Sequence, residues 1–486
     1  MYIRNEDTIC APATVPGTGA ISVIRVSGPE ALIIADKVVR CRKGKIADAA
    51  GYTIKFGTIH TADDAVLDEV LVSIFRVPHS YTGENSVEIS CHASSYIVSS
   101  VMEMLFAAGA RAAEPGEFTQ RAFLNGKMDL AQAEAVADVI ASQNAAAHRI
   151  AFKQMKGGFS SELKGMRSEL LELVSLMELE LDFSEEEVEF ADRSRLNELL
   201  AALIAHISRL IDSFKLGNAI KNGVPVAIAG ATNTGKSTLL NALLGEDRAI
   251  VSDIHGTTRD TIEETLNIDG VLFRFIDTAG LRETEEIVEK IGIERTFKKI
   301  SEASIVLGMI DLTRDFDSTC ETVREIIEKV DFDSQKLVIL LNKTDICDVN
   351  KNVSALNFIV SSLDNKGLTS AIANKDRTCD ADVPIIGISA KTGTGINNLR
   401  TILASSQRDL LADSDTTLVT NQRHVQALTD ARTSLLRVQE GLTLGLPTDL
   451  ASQDIREAIY HLGSIVGEIS ADEVLGNIFA NFCIGK

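Results

Sequence analysis

Residues 230–237 read GATNTGKS, after a short apolar run from Val224 to Ala229 and before a helix-like stretch from Thr238 to Leu244. This is G-x-x-x-x-G-K-S in strand–loop–helix context, the P-loop pattern that cradles the phosphates of a nucleoside triphosphate. Gly230 and Gly235 let backbone N–H groups turn towards the phosphates, and the N-terminus of the following helix favours their charge. Lys236 is of the length to reach the β- and γ-phosphates, and the Ser237 hydroxyl suits a Mg²⁺ ligand. Asn233, Thr234, Gly235, Lys236, Ser237 and Thr238 are therefore the phosphate-side candidates.

Outward from this loop, strands alternate with helices to about residue 404. The strand candidates are Val224–Ala229, Val271–Ile276, Ser304–Ile310, Lys336–Leu341 and Pro384–Ile388. Such alternation implies a mostly parallel sheet covered by helices. Three further motifs follow strands. Asp277-Thr278-Ala279-Gly280 offers an Asp for the Mg²⁺ shell and a Gly N–H for the γ-phosphate. Asn342-Lys343-Thr344-Asp345 offers a carboxylate that accepts from both guanine N1–H and the N2 amino group, which adenine cannot reproduce. Ser389-Ala390-Lys391 supplies a backbone donor for guanine O6. Four motifs in this order at strand ends specify GTP and resemble the Ras-like GTPase family.

The residue after this DTAG is Leu281. In Ras-type proteins a Gln at that point orients the attacking water, and Leu cannot. Charge developing on the transferring phosphoryl group still needs a cation. Asn233 offers a side-chain carbonyl oxygen inside the P-loop, and the stretch Ser252, Asp253, Ile254, His255, Gly256, Thr257 and Thr258 adds backbone carbonyls. Together they suit a monovalent cation where an arginine finger would sit. Thr258 is the natural second Mg²⁺ ligand.

Composition sets outer bounds. A chain of 486 residues suggests roughly three domains. No apolar run approaches the roughly 18 residues that span a bilayer, and the start, MYIRNEDTIC, lacks a signal-peptide pattern, so a cytoplasmic address is expected. Seven scattered cysteines without a CxxC argue against a disulfide framework and a zinc site. The net charge of −21 argues against broad, non-specific nucleic-acid binding. The acidic stretch Asp182 to Asp192 reads as a solvated linker or helix face.

Residues 1–125 mix strands (Ala20–Ser27, Glu69–Val77, Val87–Ser90) with a helix over Ser94–Ala108, an α+β pattern. Apolar stripes at helical spacing follow. They are Leu130, Ala133, Ala137 and Ile140; Leu163, Met166, Leu170, Leu173, Met177 and Leu181; and Leu196, Leu199, Leu203, Ile207, Leu210 and Phe214. Core packing explains all three. Further helices are expected over Asn421–Leu442 and Asp449–Ile469. The expected fold is α/β with α+β and all-α parts. It comprises an N-terminal domain (1–125), a helical domain in two pieces (126–219 and 405–486) and an inserted P-loop G domain (220–404).

Beyond the GTP motifs, the chain carries GTTRD at 256–260, DTAGLRE at 277–283, EKIGIER at 289–295, PGEFTQRAFLNGKMDLAQAEA at 115–135 and a terminal FCIGK. With these it closely resembles the MnmE (TrmE) family of tRNA-modification GTPases over nearly its whole length. The resemblance implies an N-terminal folate-binding domain that dimerises and K⁺-stimulated GTP hydrolysis through G-domain dimerisation. It assigns K⁺ to Asn233, Ser252, Ile254 and Thr257, Mg²⁺ to Ser237 and Thr258, and the orientation of the attacking water to Glu289. It assigns 5-formyltetrahydrofolate, or a related one-carbon folate, to Arg25, Glu88, Lys127 and Lys486. Cys483 is the family's C-terminal Cys, and no catalytic role is assigned to it. The implied partners are a second copy of the chain, tRNA and an FAD-dependent MnmG-like protein. The implied product carries a (carboxymethyl)aminomethyl group at C5 of the wobble uridine. The chain departs from the family at Thr232, where Pro is usual, at Ser252, where Thr is common, and at Cys91-His92-Ala93-Ser94, where G-H-G-G is frequent. A regulatory GTPase switch, for example in ribosome assembly, is the other reading that the G-domain motifs alone allow.

Overall fold

The computed structural model describes residues 7–182, 193–245, 264–276, 301, 303–347, 358–359, 361, 370–372, 383–406, 417–444, 448–468, 472–480, 482 and 485. The chain divides into two compact units, one of residues 1–141, 150–211 and 422–486, the other of residues 142–149 and 212–421. Among the described residues no helix is long and apolar enough to cross a membrane.

The first unit contains a seven-stranded sheet in the order β3-β4-β5-β6-β2-β1-β7. Its strands are β1 (Ile9–Pro12), β2 (Ile21–Ser27), β3 (Val39–Cys41), β4 (Thr53–His60), β5 (Val66–Phe75), β6 (Ser86–His92) and β7 (Arg111–Ala112). Neighbours are antiparallel except β1 and β7. Ile24, Val26, Val70, Val72, Ile74, Val87 and Ile89 alternate along their strands and form a core with the helices Ala31–Val38 and Ser95–Ala108. The opposite face carries Ile54, Phe56 and Leu71 exposed to solvent.

The same unit holds the long helices. Gly158–Asp182 packs on Thr448–Val466, which packs in turn on Gln422–Leu444. Leu163, Met166, Leu170, Leu173 and Met177 are buried as their spacing requires, and so are Leu203, Ile207 and Leu210. One stripe is corrected at its end: Leu130 and Ala133 are in the core, but Ile140 is 47% exposed near the end of the helix Leu130–Ala141. The side chains of Leu181 and Leu196 and most of the acidic stretch (residues 183–192) lie outside the described residues. The last helix, Asp472–Ala480, sets Leu475 and Phe479 against Leu130 and Ala133. That contact carries the chain end towards the N-terminal sheet.

The second unit is built on a seven-stranded sheet in the order β13-β14-β12-β11-β8-β10-β9. The strands are β8 (Val224–Ala229), β9 (Glu264–Ile268), β10 (Val271–Phe275), β11 (Ile305–Asp311), β12 (Lys336–Asn342), β13 (Ser370–Ile372) and β14 (Val383–Gly387). All pairs are parallel except β9 with β10. Every residue of β11 is buried, as expected for a central parallel strand covered on both faces. Strand β9 was not expected from the sequence. It forms a hairpin with β10 through Asp269 (φ 50°) and Gly270 (φ 86°), the two-residue Asp-Gly turn that matches strand twist.

Candidate functional site

Strands β8, β11, β12 and β14 run parallel, so the segments after them gather at one edge of the sheet, where ligands of such sheets bind. The P-loop leaves β8 there. A Cβ on Gly230 would stand 2.4 Å from the Met309 carbonyl oxygen, and one on Gly235 2.6 Å from Asn342 Nδ2. Both positions therefore need glycine. Asn233 adopts φ 59°, unusual for a residue with a side chain. Lys236 opens the helix Lys236–Leu244, and its Nζ donates to the carbonyls of Gly230 (2.9 Å) and Ala231 (2.8 Å). Thr234 Oγ1 donates to the same Ala231 carbonyl at 2.9 Å. Burial, and then the nearby Arg314 charge, push the Lys236 ammonium below its ordinary value. Among the described residues this cation is held by neutral carbonyls, which it is poised to exchange for phosphate oxygens.

Asn342 is turned inward. Its Nδ2 donates to the Thr234 carbonyl at 2.7 Å, and its Oδ1 accepts from the Ala390 N–H at 3.0 Å. It thus joins the P-loop to the segment after β14, with Thr234, Asn342 and Ala390 all buried. Lys343, at φ 69°, pairs through Nζ with Asp311 Oδ2 at 2.6 Å. Burial pushes the Asp311 carboxyl up, but Lys343 and Thr313 outweigh it and hold the group below its usual range. Thr344 N–H donates to the Ile388 carbonyl at 3.2 Å. Asp345 is exposed. Ser389 is fully buried and shapes its turn through Thr394 and Thr392, while Lys391 is exposed. Ser237 and Thr238 lie in the first turn of the P-loop helix.

Asn233 to Thr238, Asn342 to Asp345 and Ser389 to Lys391 are therefore brought to one sheet edge. Ser252, Asp253, Ile254, His255, Gly256, Thr257, Thr258, Asp277, Thr278, Ala279, Gly280, Leu281 and Glu289 lie outside the described residues. Asp311 and Arg314 were missed. Their signal was positional, since Asp311 ends a central parallel strand and Arg314 lies in the turn after it, where the recognised motifs also stand.

A second cluster lies on the N-terminal sheet. Arg25 on β2 and Glu88 on β6 face each other in register. Arg25 Nε and Nη2 donate to Glu88 Oε1 at 3.0 and 2.9 Å. Arg25 Nη1 donates to the Gly485 carbonyl at 3.4 Å. The guanidinium carbon lies 5.1 Å from the Tyr81 ring centroid and 5.6 Å from that of Phe118. Lys127 Nζ donates to the Pro78 carbonyl at 3.0 Å, and its stem lies against Gly83, so it borders the segment that carries Tyr81. Cys483 and Lys486 are outside the described residues. Cys91 is buried, and burial pushes its thiol up to about 11. His92 is exposed and bonds Asp68 Oδ1 through Nδ1 at 2.7 Å.

A P-loop whose Lys is free to meet phosphate, clamped to an NKxD segment on a parallel sheet, defines a GTP hydrolase, with GTP as substrate and Mg²⁺ as its metal. Comparison with known proteins extends this to the whole chain. The family model "GTP-binding protein TrmE N-terminus" matches residues 8–127, and "MnmE helical domain" matches residues 130–483. The tRNA modification GTPase MnmE of Bacteroides thetaiotaomicron is 51% identical over 486 residues, covering 99% of this chain and 100% of the relative. That of Parabacteroides distasonis is 52% identical over 483 residues, covering 99% and 100%. The chain belongs to the tRNA modification GTPase MnmE family. Among solved structures, Era in complex with MgGDPNP and nucleotides of 16S ribosomal RNA matches at 25% identity and a TM-score of 0.26, covering 43% of this chain and 66% of that one.

Proposed function

We propose that this GTPase acts with an FAD-dependent MnmG-like partner to install a (carboxymethyl)aminomethyl group at C5 of the wobble uridine of certain tRNAs in the cytoplasm. A one-carbon folate supplies the carbon, and GTP hydrolysis drives opening and closing of the G domains, a two-state switch biased by γ-phosphate contacts. The observation that carries the reading, over that of a pure regulatory switch, is the meeting of Arg25, Glu88 and the Gly485 carbonyl. A cation, a carboxylate and two aromatic rings at the chain end suit a ligand that combines a flat heterocycle with carboxylates. A regulatory switch has no use for them. Deleting the gene and analysing tRNA nucleosides tests the proposal: the modified wobble uridine should disappear, and unchanged wobble nucleosides would refute it.

The chain divides, in this reading, into a folate domain (1–125), a helical domain (126–219 with 405–486) and a G domain (220–404). It works as a homodimer. The exposed apolar face of the N-terminal sheet supports this, since Phe56 and Leu71 are cross-strand partners and Ile54 is 67% exposed beside them. Arg25, Glu88, Lys127 and Lys486 hold 5-formyltetrahydrofolate. Titrating this compound into the full-length protein should show saturable binding, and Arg25→Ala should weaken it about tenfold or more, the usual cost of a charge-assisted hydrogen bond. Equal affinity of the two proteins would remove Arg25 from the site.

Ser237 and Thr258 hold Mg²⁺, which would offset charge on the phosphate oxygens. Asn233, Ser252, Ile254 and Thr257 hold K⁺ against the developing charge, and Glu289 orients the attacking water. The exposed place of Asn233 in the phosphate loop supports its part in this. Hydrolysis should be on the order of tenfold faster in K⁺ than in Na⁺, a barrier difference of about 1.4 kcal/mol, and Asn233→Ala should abolish the difference. Equal rates in both salts would rule the ion out.

A further inference from the structure

Arg314 lies in the turn after β11, and its Nη2 donates to the Thr232 carbonyl of the P-loop at 2.5 Å. The neighbouring carboxylates are committed elsewhere. Asp311 accepts from Thr313 and Lys343. Asp315 caps the helix Phe316–Lys329 by accepting from Ser318 N–H and Oγ. Among the described residues the guanidinium is thus directed at main chain rather than at an acid. With Lys236 on Gly230 and Ala231, three consecutive P-loop carbonyls are each tied by a side-chain cation.

The two ties differ in kind. Lys236 gives up its carbonyls when phosphate arrives, because its role is to meet the anion. Arg314 reaches the loop from the β11 turn and can keep its carbonyl. A trans peptide is planar, with its C=O and N–H pointing opposite ways. Fixing the Thr232 carbonyl therefore fixes the direction of the Asn233 N–H. In a phosphate-cradling loop such N–H groups point at the anion. Asn233 also needs this support, since its φ of 59° is costly for a residue with a Cβ, and Thr232 does not fix its own φ as a proline would.

We infer that Arg314 is a positioning residue for GTP hydrolysis, holding the Thr232–Asn233 peptide so that the Asn233 N–H and side chain face the transferring phosphoryl group. The effect belongs to the chemical step. GDP binding leans on the rest of the loop and on Asp345, which Arg314 does not touch.

The test compares the full-length wild type with Arg314→Ala and Arg314→Lys. Single-turnover GTP hydrolysis, GDP affinity and melting temperature are measured for each. Arg314→Ala should slow hydrolysis about tenfold, with GDP affinity within about threefold and melting unchanged. Arg314→Lys should recover most of the rate, because an ammonium can also hold one carbonyl. Hydrolysis by Arg314→Ala within about twofold of wild type would overturn the inference. So would a rate loss matched by equal loss of GDP affinity and melting temperature, which is collapse of the loop rather than misdirection of one peptide. A Lys variant as slow as the Ala variant would also overturn it.

Discussion

Asn342→Ala lowers the affinity for GTP and for GDP together, by about a hundredfold, and lowers the melting temperature of the nucleotide-binding unit. The Asn342 side chain is a clamp between two loops before it is anything else. Removing it strips the Thr234 carbonyl and the Ala390 N–H of their partners, and both residues are buried. Each abandoned buried group costs about 1–3 kcal/mol. Relaxation of the loops returns part of this, and the remainder appears as weaker binding at about 1.4 kcal/mol per factor of ten. Asp345→Asn is the control. Asp345 is exposed, so its loss should remove guanine recognition and leave melting unchanged. If Asn342→Ala binds GDP within about threefold of wild type and melts normally, the clamp does not organise the site.

The contrast between Asn342 and Asp345 marks where sequence reading stops. The NKTD motif and its place after a strand were legible, because β12 is an apolar run and the motif is contiguous. The direction of Asn342 was not, since its partner Thr234 is 108 positions away. Arg314 was missed for the same reason, with 82 positions between it and Thr232. Strands were lost where burial is one-sided or slight. β4 carries exposed Ile54 and Phe56 opposite a core face, so its apolar residues do not alternate cleanly. β9 is short and edge-lying, and only its Asp269-Gly270 turn marked it. Ile140 kept helical spacing with its stripe, yet it sits where the helix has run past the core. Periodicity reports which face is apolar and not where the neighbouring element ends.

Glu134→Gln destabilises the helical part of the first unit by about 3 kcal/mol at neutral pH, and the loss shrinks as the solution is acidified. Glu134, on the helix Leu130–Ala141, is nearly buried. Arg423 Nε and Nη2 donate to its two carboxylate oxygens at 3.0 and 2.9 Å, and His424 Nε2 lies 2.6 Å from Oε2. Arg423 also donates to the carbonyls of Ser464 and Ile465, both at 2.9 Å. Segments 289 and more residues apart in sequence thus meet on one carboxylate. The His424 ring rests on Phe159, centroids 5.3 Å apart, and its Nδ1 is buried without a hydrogen-bond partner among the described residues. Burial alone would push the Glu134 carboxyl up. The charge and hydrogen bond of His424, then Arg423, overcome that and hold it at about 2. A folded value below the unfolded one means that the carboxylate's contribution is complete above pH 4.5 or so. It is lost as pH falls towards 2. The shift converts to about 3 kcal/mol, and the gap between wild type and Glu134→Gln should narrow by about half or more by pH 3. Glu134→Ala should cost about 3–5 kcal/mol, because it takes the carboxylate from the buried His424 and the half-buried Arg423 and opens a void. Urea unfolding of the three proteins across this pH range decides the matter. A gap that stays constant from pH 7 to pH 3 would assign the loss to shape, and the carboxylate would then not be what draws the two halves of the helical region together.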